Sequence, residues 1–227
     1  MTPRSRLGKS RGPRTLIEPV ETCHWGITIW DDAFARTTLE AEDRKARSFP
    51  VVDPPEAVCW LHPNIEVRAS PIHGLGLFAR AVMPAATVVS RLGGQLVDTQ
   101  ELQRQLRLAT DGDRGYVDTI TVGEDLHLVL STGTRNGRGN HSCDPNTWWV
   151  DAFTLGTRRE IAVDEEVTND YATSTDADSF AMVCLCASPL CRGLITGGDW
   201  RRADLRERYG THWVPAVLRH ISSVGGS

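Results

Sequence analysis

The hydrophobic positions of this chain fall into two regimes. From about residue 60 onward, apolar residues come in short runs rich in β-branched, aromatic or leucine side chains, each closed by Gly, Pro, Asn or Asp. Runs of this kind at 64–70 (NIEVRAS), 75–80 (LGLFAR), 87–94 (TVVSRLGG), 116–122 (YVDTITV), 126–132 (LHLVLST), 146–153 (NTWWVDAF) and 157–163 (TRREIAV) predict strands. A helical period interrupts them at 98–109, where Leu102 and Leu106 stand at i, i+4 and Asp98 with Glu101 resembles a capping box. Further helices are predicted at 201–210, ending on Gly210, and at 213–221. Trp148 and Trp149 are neighbours on a predicted strand and face opposite sides, so at least one belongs to a core.

Before residue 60 the pattern differs. Residues 1–17 hold five basic side chains and few apolar ones, which predicts a flexible tail rather than a nucleic-acid-binding arm. A strand is predicted at 23–30 and a helix at 31–49, capped by Asp31 or Asp32. Pro50, Pro54 and Pro55 then mark a linker, with a boundary near residue 57. The class that emerges is mainly β with small helical insertions.

Composition narrows the function. A chain of 227 residues that is 40% hydrophobic, with seven Trp and five Phe, holds enough apolar material for a sizeable core. Its net charge of −4 argues against electrostatic binding of nucleic acid by the molecule as a whole. There is no run of 18 apolar residues for a membrane span, and the basic N-terminus lacks the apolar core of a signal peptide. A cytoplasmic location is expected, and disulfides are not the expected use of the cysteines. Only two of the 25 basic residues are lysine, a bias expected of a GC-rich genome and so of a bacterial source; a nuclear location is the expectation if the source is eukaryotic.

The six cysteines are unevenly placed. Cys184, Cys186 and Cys191 crowd into CLCASPLC, too close for a relaxed set of mutual disulfides. Zinc takes four soft or borderline ligands in a tetrahedron, so this cluster is one ligand short, and Cys143 in the turn GNHSCDPN is the candidate fourth. Cys23 and Cys59 read as buried small hydrophobes.

Four motifs in order, SPIHGLGLFAR (70–80), NHSCDPN (140–146), DEEVTNDY (164–171) and CLCASPLCRG (184–193), resemble SET-domain protein-lysine methyltransferases with a post-SET zinc-binding segment. The resemblance covers about residues 64–195. It implies a β-clip, pseudoknotted SET fold with short helices. It divides the chain into a basic tail (1–22), an N-terminal extension and Pro-rich linker (23–57), a SET domain (58–181), a post-SET zinc segment (182–198) and a C-terminal helical tail (199–227). It also implies methyl transfer from S-adenosyl-L-methionine to the side-chain amine of a protein lysine, with one structural zinc ion.

By the same resemblance, backbone groups of Gly74, Leu75 and Gly76 face the methionine part of the donor, because glycine lets a backbone approach a ligand closely. Asn140 and His141 match the family's donor-contacting pair, with the larger side-chain role expected of Asn140. Tyr171 matches the catalytic tyrosine, and Tyr116 falls where a channel tyrosine is often found, a core tyrosine being the competing reading. Leu194 takes the place of the apolar residue that packs on adenine. The partner implied is a protein or peptide presenting a lysine, with no membrane and with nucleic acid only weakly through the basic tail.

Two departures stand out. Gly137-Arg138-Gly139 precede the Asn-His pair where the family often has Arg-Phe, and Asn169 stands where Phe or Tyr usually tunes the number of methyl groups added. The methylation state, the substrate protein and the target lysine are therefore open. The competing function is a non-catalytic SET-like interaction module held by zinc. A zinc-stabilised nucleic-acid binder is disfavoured by the acidic balance and by the absence of a basic helix after the cysteines.

Overall fold

Ile65 and Val67 pack on the core, and the strand that carries them pairs with its successor along five consecutive positions. The computed structural model describes residues 55–110 and 117–224. The expected elements at 23–30 and 31–49, the basic tail, Cys23 and Tyr116 lie outside the described residues.

The strands are β1 (Trp60–Leu61), β2 (Ile65–Ala69), β3 (Leu75–Ala79), β4 (Val88–Arg91), β5 (Gly94–Val97), β6 (Thr119–Gly123), β7 (Leu126–Leu130), β8 (Asn140–His141), β9 (Thr147–Trp149), β10 (Thr154–Thr157), β11 (Glu166–Asn169), β12 (Ala181–Val183) and β13 (Leu194–Thr196). The helices are α1 (Thr99–Thr110), α2 (Ala203–Tyr209) and α3 (Pro215–Val224). The sheets run in the orders β1-β4-β10-β9, β2-β3-β11-β8, β5-β7-β6 and β12-β13. The mainly β class with a few short helices is what the sequence predicts. Among the described residues no helix is long and apolar enough to cross a membrane.

One core joins the first three sheets to the C-terminal helices. Leu77, Leu128, Trp149, Ile161 and Val167 pack in it together with Trp200, Leu205, Tyr209, Trp213, Val214 and Val217. Full burial of each such side chain is worth about 1.5–3 kcal/mol, so the stretch from Trp200 to Val217 is built into the domain. Trp149 is the buried member of its pair, and Trp148 stacks on His212 with ring centroids 3.6 Å apart.

The cap expected at α1 is present, with the Glu101 N–H donating to Asp98 Oδ1 at 2.8 Å. Helix α2 stops where Gly210 takes a positive φ of 53°. The strand expected at 157–163 is corrected. The pairing strand is Thr154–Thr157, and of the later residues Ile161 alone contributes, through an isolated bridge to Met83. The charged Arg158-Arg159-Glu160 between them bends out of the strand, with Arg159 held to Glu165 at 2.6 Å.

The key crossing is short. β8 lies parallel to β11, placing Asn140 opposite Thr168 and His141 opposite Asn169. The same β11 pairs antiparallel with β3, so the turn before β3, the segment after β7 and the residues after β11 meet in one place.

Candidate functional site

The turn after β8 carries Cys143, which is fully buried, toward the loop between β12 and β13. There its sulfur meets those of Cys184, Cys186 and Cys191, all four lying within 4.8 Å of one another. A tetrahedron built on metal–sulfur bonds of about 2.3 Å has sulfur–sulfur edges of about 3.8 Å. The Cys143–Cys184 separation of 3.7 Å meets that requirement, and the donor set fits a metal ion.

Backbone N–H groups point at the sulfurs: Arg192 N lies 3.2 Å from Cys143 Sγ, and Cys143 N lies 3.5 Å from Cys186 Sγ. Burial pushes the Cys143 thiol up to about 11. Burial opposes the Cys186 thiolate too, but N–H groups from Cys143 and Ser188 outweigh it and bring that thiol to about 7. Cys59 stands apart, its sulfur 3.2 Å from the Gly93 carbonyl.

Three residues upstream of Cys143, Asn140 faces the glycine turn. Its Nδ2 donates toward His73 O at 3.1 Å, Leu75 O at 3.1 Å and Glu166 Oε1 at 2.8 Å. Glu166 also accepts from Ser70 Oγ at 2.8 and 2.9 Å. The amide N–H groups of Asn140 therefore hold the turn from inside. Gly74 sits at φ 46° with open space where a Cβ would be, whereas a Cβ on Gly76 would fall 2.2 Å from Glu166 Oε1. The turn thus presents Leu75, an exposed apolar side chain, on an open backbone face. Leu194 is likewise exposed at the head of β13. The open backbone at Gly74 with the exposed Leu75 side chain fits a small molecule with polar and apolar parts.

Between these two places stands His141. Its Nδ1 accepts the backbone N–H of Tyr171 at 3.1 Å, which assigns the ring proton to Nε2, 3.3 Å from Cys143 Sγ. Burial is the main reason its pKa falls to about 4, so the ring is neutral. Tyr171 opens a one-turn 3-10 helix (Tyr171–Thr173) capped by Asp170, and its hydroxyl donates to Gly139 O at 2.9 Å. Asn169 is buried with its Nδ2 unpartnered, and lines a cavity of about 20 Å³ with Ser90 and Asn136.

A wider cavity of about 890 Å³ opens between α1 and β7, lined by Arg104, Leu108, Asp118, Val129, Ser131 and Arg138 among others. Arg138 adjoins Gly139, so this cavity lies next to the Tyr171 hydroxyl's acceptor in the chain.

The structure thus brings together the four cysteines, and joins Asn140 to the 74–76 turn and His141 to Tyr171. Glu166, Ser70, Asp170 and Arg192 were not singled out in the sequence. The acidic run before Tyr171 is a signal for Glu166, and the CRG tripeptide contains Arg192.

The family model for the SET domain matches residues 74–172. Over 147 residues the chain is 30% identical to Histone-lysine N-methyltransferase Set2 of Drosophila melanogaster, covering 61% of this chain and 6% of that protein. Over 142 residues it is 28% identical to Histone-lysine N-methyltransferase, H3 lysine-36 specific, of Cryptococcus neoformans var. neoformans serotype D, covering 59% of this chain and 17% of that protein. The chain therefore spans a small part of these curated relatives. Among solved structures, the methyltransferase domain of human Histone-lysine N-methyltransferase SETMAR aligns with a TM-score of 0.47 at 23% identity, over 59% of this chain and 58% of that one.

Proposed function

We propose that this chain, which carries a SET domain, transfers a methyl group from S-adenosyl-L-methionine to the side-chain amine of a protein lysine. One observation carries the reading. The segment from Gly139 to Cys143 supplies the acceptor for the Tyr171 hydroxyl, the amide that holds the glycine turn, and a ligand of the cysteine cluster. A binding module has no need to tie a tyrosine hydroxyl, such a turn and a cysteine cluster to one short segment.

The donor supplies the methyl as an electrophilic carbon on a sulfonium. The new N–C bond forms as the S–C bond breaks, and the amine must lose a proton to water beforehand. The chain's part is orientation. Gly74, Leu75 and Gly76 offer backbone groups to the polar end of the donor, and Leu194 offers an apolar surface to its adenine. Asn140 and His141 hold that arrangement from behind. The Tyr171 hydroxyl, aligned by Gly139, directs the amine and faces the methyl as positive charge develops there. The cavity between α1 and β7 receives the acceptor segment. Tyr116, which lies outside the described residues, is a further channel residue by the family resemblance alone. One zinc ion on Cys143, Cys184, Cys186 and Cys191 holds the segment that carries Leu194.

The test incubates the chain with radiolabelled S-adenosyl-L-methionine and a peptide array presenting lysines, beside Tyr171→Phe. Label on lysine, reduced about 10²-fold or more in the variant while donor affinity holds, supports the proposal. Absence of donor binding by calorimetry overturns it, and donor binding without transfer to any lysine favours the interaction module.

A further inference from the structure

A single carboxylate collects contacts from widely separated parts of the chain. Asp170, wholly buried, accepts from Arg192 Nη1 at 2.6 Å, Arg192 Nη2 at 2.7 Å, Tyr209 Oη at 2.8 Å and the Ala172 N–H at 3.0 Å. Arg192 reaches onward to Asp199, with Nε 3.0 Å from Oδ2. The backbone N–H of the same Arg192 lies 3.2 Å from Cys143 Sγ. One residue therefore touches the cysteine cluster through its main chain and Asp170 through its side chain.

Asp170 directly precedes Tyr171 and caps the turn that Tyr171 begins. Both of its oxygens are engaged and its side chain is out of reach of solvent, so it is not a general base. Stability alone is a weak reason for such a pair, since apolar residues of similar volume commonly do as well. Orientation is the stronger one, because a bidentate guanidinium fixes a carboxylate plane as no apolar contact does.

We infer that Arg192 and Tyr209 are positioning residues for Tyr171: they lock Asp170, and with it the turn bearing Tyr171, when the cysteine loop and α2 are seated. Seating of the C-terminal half then aligns the Tyr171 hydroxyl. The consequence for methyl transfer rests on the function proposed above, while the mechanical link to Tyr171 does not.

The experiment uses the full, metal-loaded chain labelled with 13C at tyrosine Cζ. The chain has three tyrosines, so the spectrum holds three signals, and Tyr171→Phe identifies one of them. Tyr209→Phe and Arg192→Met should each shift or broaden the Tyr171 signal with the metal retained, and Arg192→Lys should restore it in part. In turnover, Tyr209→Phe should lower kcat about tenfold, as a small misplacement does, with acceptor KM and donor Kd nearly unchanged. Should Arg192→Met fail to fold, Tyr209→Phe and Arg192→Lys carry the test. A Tyr171 signal unmoved in the folded variants overturns the inference. A signal that moves in a wild-type background that binds no donor supports the link and removes the methyl-transfer reading instead.

Discussion

Nε2 of His141 lies 3.3 Å from Sγ of Cys143, with the ring 3% exposed and its other nitrogen holding the Tyr171 backbone. A single imidazole thus joins the cysteine cluster to the residue proposed to face the transferred methyl. An outer-shell N–H donor of this kind orients a cysteine ligand and stabilises its thiolate.

Replacing His141 by Ala should therefore weaken zinc binding about 10–100-fold and also weaken the proposed donor site. Competition with a chromophoric chelator measures the first effect, and calorimetry with S-adenosyl-L-methionine the second. Zinc removal from the wild type should reproduce the loss of donor affinity, because metal binding is coupled to the folding of the segment that carries Leu194. Unchanged donor affinity in the apo protein would break the proposed link between the two sites.

His141 also sets a pH dependence. Its pKa falls from 6.5 in the unfolded chain to about 4 in the folded one, chiefly because burial penalises the charged ring. Between those values the unfolded state binds the extra proton, so stability rises with pH from about 4 to 6.5 and levels off above. The contribution is about 3 kcal/mol by linkage. Proton competition at the cysteines acts in the same direction, so the comparison is with His141→Gln, whose stability should climb less steeply over that window in urea titrations.

The glycine turn separates steric from conformational need. A Cβ at Gly76 meets Glu166 Oε1 at 2.2 Å, and that carboxylate cannot swing away without releasing Ser70 and Asn140. Gly76→Ala should therefore disturb the whole turn and lower donor affinity by at least about tenfold, the scale of one lost charge-assisted hydrogen bond. Gly74→Ala meets no atom but must hold φ at 46°, which costs about 1–2 kcal/mol. It should lower thermal stability and leave affinity closer to wild type. Equal affinities for both variants would defeat the distinction.

What the sequence made legible were features with a local chemical cause. The apolar residues Ile65 and Val67 of β2 and the cap of α1 are each decided within a few residues. Three close cysteines have few uses other than metal, so the search for a fourth converged on Cys143. Strand β10 (TLGT) was hidden because Thr and Gly give no apolar run, whereas TRREIAV looked like a strand but bends at its charged centre. Asp170 was invisible for a different reason. Its partners Arg192 and Tyr209 stand 22 and 39 residues away, and no local pattern announces a pairing made by topology.

That pairing allows a test by coupling energy. Burial alone would raise Asp170, but the hydrogen bonds from Arg192 prevail and hold it below the usual carboxylate range. Arg192→Met leaves this carboxylate buried without its cation, a change that costs about 3–5 kcal/mol. Asp170→Asn is milder, because Arg192 keeps Asp199 at 3.0 Å as a charge partner. Once Asp170 is neutral, losing Arg192 strands no charge at that position, so the double variant should be less destabilised than the two single changes predict together. The difference should amount to about 0.5–3 kcal/mol in denaturant midpoints at equal m-values, with zinc content checked in each protein. Strict additivity would mean that the carboxylate and guanidinium act separately, and the lock on Tyr171 would lose its physical basis.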